Sequence, residues 1–306
     1  MSAAGSATPP RILLLGADGQ VGWELRRALL PLGAVLPHTR AQADLGDLAA
    51  LRQLLEREQP DVIVNAAAYT AVDKAETEAD LAQRVNADAP QVLADYATAH
   101  RAWLVHYSTD YVFDGTKPAA YSELDAPNPQ SAYGRSKLAG EQAIAQSGCR
   151  HLILRTSWVF AARGGNFAKT MLKLAAQRDS LRVIADQFGA PTSAELIADV
   201  TALALHRLHT DPALAERVSG LYHLAAQGST TWHGYARFVI AQAAARGLPL
   251  RCTPESVQAI TTADYPLPAP RPSNSRLDAG KLQSTFGLYL PPWQTQVQRL
   301  IDELPQ

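Results

Sequence analysis

A chain of 306 residues, 47% hydrophobic and 19% charged, carries enough apolar material for a large folded core and too much for a disordered polymer. Its formal charge of −1 gives no electrostatic case for nucleic acid or an anionic membrane as partner, and no apolar run reaches the roughly 18 residues that span a bilayer. Cys149 and Cys252 are too few for a disulfide framework and lack metal-site spacing, so a soluble cytoplasmic protein of a reducing compartment is expected.

Met1 to Pro10 is small, polar and proline-ended, with neither a basic n-region nor an apolar core. It reads as a disordered tail and not as a signal peptide. Arg11–Leu15 reads as a buried strand, followed directly by Gly16-Ala17-Asp18-Gly19-Gln20-Val21-Gly22. A helix over Trp23 to Leu30 comes next, with Val21, Leu25, Ala28 and Leu29 at helical spacing. A plain cluster of loop glycines is the bland alternative. Strand, glycine turn and helix in that order is the context in which such a turn binds a dinucleotide. Gly16 permits the tight turn, Gly19 lets the backbone approach a pyrophosphate, and Gly22 lets helix and strand pack closely. The helix N-terminus then faces the phosphates. A P-loop is excluded, since no Gly-Lys-Ser/Thr follows.

The second strand, Ala34–His38, ends in Thr39-Arg40 where an acidic residue would grip an adenosine ribose. Arg40 can receive a 2′-phosphate, favouring NADPH over NADH, or it is a solvated surface charge. Asp47 can cap a helix carrying Leu48, Leu51, Leu54 and Leu55. Val62–Val64 is the third strand, and the small residues of Asn65-Ala66-Ala67-Ala68 let a cofactor lie close to its end. Asp88-Ala89-Pro90 opens another helix, with proline in its first turn.

The fourth strand, Trp103–Tyr107, delivers Ser108-Thr109-Asp110 to its C-terminal end. Further on, Lys137 follows Tyr133 by four residues, so on a helix running to about Ser147 the phenol and the ammonium share one face. A phenol titrates near ~10 in water, too high for easy proton exchange at neutral pH. A cation beside it favours the phenolate, and a hydroxyl such as that of Thr109 can hold a substrate carbonyl next to it. With a hydride source, that trio suits reversible carbonyl–alcohol chemistry. His151–Leu154 is the next strand. Every candidate so far lies at the carboxyl end of a parallel strand or beside one, where ligands of such sheets bind.

The second half is less regular. Arg155-Thr156-Ser157-Trp158 leaves the fifth strand, Asn166 to Gln177 looks amphipathic, and Ala185–Thr192 is a punctuated loop before a helix at Ser193 to Leu208. The proline-rich stretch 262–275, ending Arg271-Pro272-Ser273-Asn274-Ser275, is either a linker or a loop presenting Arg271 to an anionic substrate. The fold class expected is α/β: a Rossmann-like doubly wound parallel sheet over 11–155, with a smaller substrate-binding domain in 156–306, parts of which return to the first.

These motifs resemble the extended short-chain dehydrogenase/reductase superfamily and, within it, the dTDP-4-dehydrorhamnose reductase family. The narrower likeness rests on Gly16–Glu24, Val64–Asp73, Ser108–Phe113, Arg155–Phe160, Asp186–Thr192 and Arg271–Ser275. It implies NAD(P)H-dependent reduction of the C4 ketone of dTDP-4-dehydro-β-L-rhamnose, the last step of dTDP-L-rhamnose synthesis. Tyr133 would donate the proton, Lys137 would lower its pKa and bind the nicotinamide ribose, and Thr109 would take the place of the usual serine. Gln20, Val21, Ala67, Ala68, Tyr69 and Tyr107 would line the cofactor, with Asp44-Leu45 cradling adenine. Asp110 and Trp158 would contact the sugar, and Arg271 and Asn274 the diphosphate of the dTDP-sugar; capping or bracing the strand end is the alternative for Asp110, and core packing that for Trp158. Glu24, Glu195 and Glu303 match carboxylates that bind Mg²⁺ across a dimer interface in some members, which leaves room for a homodimer; surface carboxylates are the alternative. Two rival functions stand beside this one. The first is another nucleotide-sugar epimerase or dehydratase, disfavoured because Asp110-Tyr111 stands where a dehydratase has Asp-Glu. The second is a non-catalytic NADP-binding regulatory subunit.

Overall fold

The computed structural model of the chain describes residues 9–304. Strands β1 (Arg11–Leu15), β2 (Ala34–His38), β3 (Val62–Asn65), β4 (Trp103–Thr109), β5 (Arg150–Thr156) and β6 (Gly220–His223) form one all-parallel sheet in the order β6-β5-β4-β3-β1-β2. Helices α1 (Gln20–Ala28), α2 (Leu48–Glu58), α3 (Ala89–His100), α4 (Ala132–Gln146), α5 (Phe167–Gln177), α6 (Ala194–Thr210), α7 (Trp232–Ala245) and α8 (Trp293–Glu303) accompany it. The near-continuous apolar runs have a direct cause: side chains alternate along a strand, and both faces of this sheet are covered. Ile12 and Leu14 of β1 pack with Leu25 of α1 and Ile197 and Leu205 of α6. Leu13 and Leu15 pack on the opposite face with Leu51 and Leu55 of α2, Leu93 of α3 and Ile144 of α4. β6 and α6 come from the second half of the chain, which therefore returns to the sheet.

Strand order reverses between β1 and β3, the switch point at which a crevice opens beyond the carboxyl ends. Asp47 caps α2 as expected, accepting from the N–H groups of Ala49 and Ala50 at 3.1 and 3.0 Å. Three local expectations differ. α1 begins at Gln20, inside the glycine turn, because Gly19 is the extended N-cap residue. Asp88 caps nothing: a π-helical turn over Arg84–Asp88 runs straight into α3. In that turn Asn86 bonds the backbone of Tyr69 and the Ser136 hydroxyl, tying it to α4. Of the tail expected over 1–10, residues 1–8 lie outside the described residues; Pro10 is fixed, its carbonyl accepting from Ala34 N–H at 2.9 Å.

The remaining layer packs α5, α7 and α8 around Phe160, Tyr235 and Trp293, with Leu181–Ile184 pairing in parallel with Val257–Ile260. The stretch 262–275 is no loose linker. Phe188 N–H donates to the Ser273 carbonyl at 2.8 Å, and Ser275 N–H donates to the Phe188 carbonyl at 2.7 Å. Among the described residues, no helix is long and apolar enough to cross a membrane.

Candidate active site

A cleft of about 620 Å³ runs along the carboxyl ends of β1, β3, β4 and β5. It gathers Gly16, Gly19, Gln20 and Val21 from the first turn, Arg40, Asp44 and Leu45 beyond β2, and Ala67, Ala68 and Tyr69 beyond β3. Tyr107, Thr109 and Asp110 of the β4 end, Tyr133 and Lys137 of α4, and Trp158 complete it. Gly22 lies behind the wall, and the reason for glycine there is visible. A Cβ at Gly22 would stand 2.0 Å from the Gly16 carbonyl oxygen, so only glycine lets α1 approach the turn. Gly16 has φ +75°, and a Cβ there would lie 2.7 Å from Ala67 N, the start of the β3 wall. α1 has no side-chain cap and no acidic residue in its first turn, which leaves its N-terminal N–H groups suited to an anion.

Ser131 caps α4 by accepting from Gly134 N–H at 3.1 Å, and this sets Tyr133 and Lys137 one turn apart against β4. Tyr133 is buried, its ring edge-on to Tyr111 at 5.6 Å. Burial pushes its phenol up to about 12, while the neighbouring Thr109 hydroxyl pulls the other way. Lys137 does not lower it in this arrangement, contrary to expectation. Its Nζ is turned to the Tyr107 carbonyl (2.7 Å) and to His106 Nε2 (3.1 Å), because a buried cation or amine must satisfy its hydrogens on nearby acceptors. Burial brings Lys137 down to about 8, with the Glu141 charge opposing.

Asp110 is buried next to Thr109, whose hydroxyl donates to it at 3.1 Å; burial raises its carboxyl to about 6. Asp110 Oδ2, Ser108 Oγ and Thr156 Oγ1 are buried without a hydrogen-bond partner among the described residues, and all three residues line the cleft. Such atoms are costly unless a polar ligand meets them. The cradle of glycines and these orphaned oxygens together fit a dinucleotide and a hydroxylated substrate. Trp158 has φ +48°, a conformation that costs about 1–3 kcal/mol and clusters at functional sites. Its indole stacks on Trp232 at 3.6 Å, with Gly189 against its ring atoms.

Other expected residues are placed differently. Arg271 does not line the cleft: it is paired with Asp73 at 2.8 Å and donates to the Ala269 carbonyl, which docks the loop over Tyr111. Asn274 is a fastener and not a substrate contact in this geometry. Its Nδ2 donates to the Lys117 and Ala119 carbonyls and its Oδ1 accepts from Arg276, so the amide is fully used. Arg40 reaches the cleft but is largely exposed, 3.7 Å from Asp44. Among the described residues of this single chain, no group of three His, Cys, Asp or Glu side chains could hold a metal ion, so the chain by itself does not bring Glu24, Glu195 and Glu303 together as a ligand set. The Arg299 guanidinium takes two of them, Glu195 at 2.7 Å and Glu303 at 3.2 Å. Burial, then the charge of Glu195, raises the Glu24 carboxyl.

Asn65 and His106 stand in line behind Lys137, Glu141 is paired with Arg155, and Trp232 backs Trp158; no motif points to any of these five in that role. The signal for the first two was present: a polar residue that ends an apolar strand run, as Asn65 does, or interrupts one, as His106 does, must be paired when buried.

The chain matches the family model of the RmlD substrate binding domain over residues 10–306. It is 49% identical over 297 residues to the dTDP-4-dehydrorhamnose reductase of Salmonella typhimurium, covering 96% of this chain and 97% of the relative. The crystal structure of a dTDP-4-dehydrorhamnose reductase from Clostridium acetobutylicum superposes with a TM-score of 0.86 at 34% identity, covering 95% of this chain and 98% of that one. That of the Bacillus anthracis dTDP-4-dehydrorhamnose reductase in complex with NADP gives 0.86 at 31% identity, covering 97% and 100%.

Proposed function

We infer the function from one premise: this chain belongs to the family of the RmlD substrate binding domain, that of the dTDP-4-dehydrorhamnose reductases. It is an oxidoreductase that reduces the C4 ketone of dTDP-4-dehydro-β-L-rhamnose to give dTDP-L-rhamnose. The observation that carries this reading in the molecule itself is the meeting of Thr109, Tyr133 and Lys137 in one cleft with the Gly16–Gly22 turn.

NADPH is the cofactor we propose. It suits Arg40 at the cleft, and the Bacillus anthracis relative was solved with NADP. Gly16, Gly19, Gln20 and Val21 would hold the pyrophosphate, Asp44 and Leu45 the adenine, and Ala67, Ala68, Tyr69 and Tyr107 the remaining length. When bound, the reduced nicotinamide supplies the hydride. Tyr133 Oη gives its proton to the oxygen that becomes the C4 hydroxyl. A phenol held near 12 is fully protonated at neutral pH, as a proton donor must be. The Thr109 hydroxyl orients that oxygen, and Lys137 as an ammonium favours the phenolate left behind. Trp158 and Asp110 border the sugar. Arg271 reaches the diphosphate only by exchanging Asp73 for a phosphate oxygen, a like-for-like trade of anions.

The test is the loss of reduced-nicotinamide absorbance with dTDP-4-dehydrorhamnose, run in parallel with NADPH and NADH. Rapid substrate-dependent oxidation, faster with NADPH, is expected, and Arg40→Ala should narrow that preference about tenfold. Cofactor binding without oxidation would overturn the reductase in favour of another sugar nucleotide or a regulatory role.

A further inference from the structure

Behind the reacting groups, three polar side chains run in a line: Asn65 at the end of β3, His106 inside β4 and Lys137 on α4. Each is 1% exposed. Asn65 Nδ2 is 3.1 Å from His106 Nδ1, and His106 Nε2 is 3.1 Å from Lys137 Nζ.

Counting donors decides the protons. Ala67 N–H donates to Asn65 Oδ1 at 3.2 Å, so the atom that Asn65 turns to His106 is its amide NH₂, a donor. His106 Nδ1 must therefore present its lone pair, and the neutral ring carries its hydrogen on Nε2. That hydrogen points at Lys137 Nζ. An ammonium has no lone pair to receive it, and two opposed donors in a buried site would leave one unsatisfied. A neutral amine removes the conflict: it accepts from His106 and donates to the Tyr107 carbonyl at 2.7 Å.

We propose that His106 is a positioning residue that, with its tautomer set by Asn65, holds Lys137 as a neutral amine turned away from Tyr133 once the pH rises above neutral, and that dinucleotide binding then brings one proton from solvent onto Lys137. This rests on the dinucleotide reading above. The step is a protonation alone: a water-borne proton joins the Nζ lone pair, and the ribose hydroxyls of the ligand offer acceptor oxygens to the ammonium. The other groups around Lys137 do not reverse it. Glu141, from the same helix, favours the ammonium, but its carboxylate is held bidentately by Arg155 of β5 at 2.8 and 2.6 Å. Asp110, at the end of β4, faces Tyr133. Burial lowers both His106 and Lys137, the direction that the donor count requires.

The experiment is calorimetric titration of the full-length enzyme with NADP⁺, in buffers of different ionisation heat, at pH 7 and pH 9. The wild type should take up roughly one proton per dinucleotide at pH 9 and little at pH 7, with affinity about tenfold weaker at the higher pH. Asn65→Asp should abolish the uptake, since a carboxylate accepts from both Ala67 N–H and His106 Nδ1–H and so leaves Nε2 free to accept from an ammonium. His106→Gln, which can turn its carbonyl to Lys137 without adding charge, should abolish it too while keeping affinity at pH 7. Equal uptake in all three proteins would show that burial alone sets Lys137 and would overturn the proposal, as would no uptake by the wild type at pH 9. Absence of NADP⁺ binding by folded wild type would instead overturn the dinucleotide reading, and this inference with it.

Discussion

Gly189→Ala isolates the placement of Trp158 without touching the cleft wall itself. An added Cβ would stand 2.5, 2.8 and 2.9 Å from three indole atoms of Trp158, where ordinary contact begins at 3.4 Å. The ring must therefore retreat by about 0.9 Å. It has nowhere to slide, because its other face is stacked on Trp232 at 3.6 Å and Trp232 is itself tied to Gln187 through Nε1 at 3.1 Å. Overpacking of this kind costs about 1–3 kcal/mol. If Trp158 borders the sugar, that misplacement appears as a loss of about 5- to 150-fold in kcat/KM for dTDP-4-dehydrorhamnose. NADPH affinity should hold, since Gly189 lies away from the glycine turn. Near-ultraviolet circular dichroism reads the stacked indole pair independently. Wild-type kcat/KM together with an altered indole signal would refute the sugar contact; no change in either would refute the packing.

Three further outcomes follow from the same geometry. Tyr133→Phe removes only the proton donor, so turnover should fall about 10²- to 10⁴-fold with NADPH affinity retained, by steady-state rates and fluorescence titration; near-normal turnover would sink the assignment. Asp110 has its folded-state pKa raised from 3.8 to about 6, so the folded protein binds more protons than the unfolded chain in that window and loses stability as pH rises through it. Asp110→Asn should therefore stabilise at pH 8 by up to about 3 kcal/mol and give no gain below pH 4, by urea unfolding at both pH values. Arg155→Met strands the buried Glu141 carboxylate and should cost about 3–5 kcal/mol, most of which the double change with Glu141→Leu should recover.

Much of this molecule was legible because its signals are local. Five strands announce themselves as short apolar runs, Asp47 stands directly before the helix it caps, and the glycine turn, Thr109, Tyr133 and Lys137 need only their order and spacing. What escaped depends on partners distant in sequence. Arg271 looked free for an anion because Asp73 is 198 residues away. Asn274 looked like a ligand because the carbonyls of Lys117 and Ala119 that consume its amide belong to another loop. Glu195 looked available to a cation because Arg299, on α8, meets it only across 104 residues of chain, whereas the Arg299–Glu303 pair is local, four residues apart on one helix. Spacing along a helix can place two side chains on one face, but the direction Lys137 turns is decided by β4.

That strand also explains the division of labour in the site. β4 is paired on both sides, with Asn65 opposite His106 in the β3 ladder and Thr156 opposite Thr109 in the β5 ladder. His106 is thereby held by both neighbours and Tyr107 to Thr109 by β5, and the groups that handle the proton sit on this strand, directly after it or on the helix packed against it. Strand and helix positions hold reacting atoms more closely than loops can. Trp158, Phe188 and Arg271, by contrast, sit on connections held by stacking, two backbone hydrogen bonds and one ion pair. Changes in those connections should then move KM and the choice of sugar nucleotide, whereas changes at Thr109 or in the Asn65–His106–Lys137 line should move kcat and its pH dependence. A loop variant that lowered kcat at saturating substrate with KM unchanged would contradict that division, because it would place a rate-determining contact on the part of the chain least able to hold one.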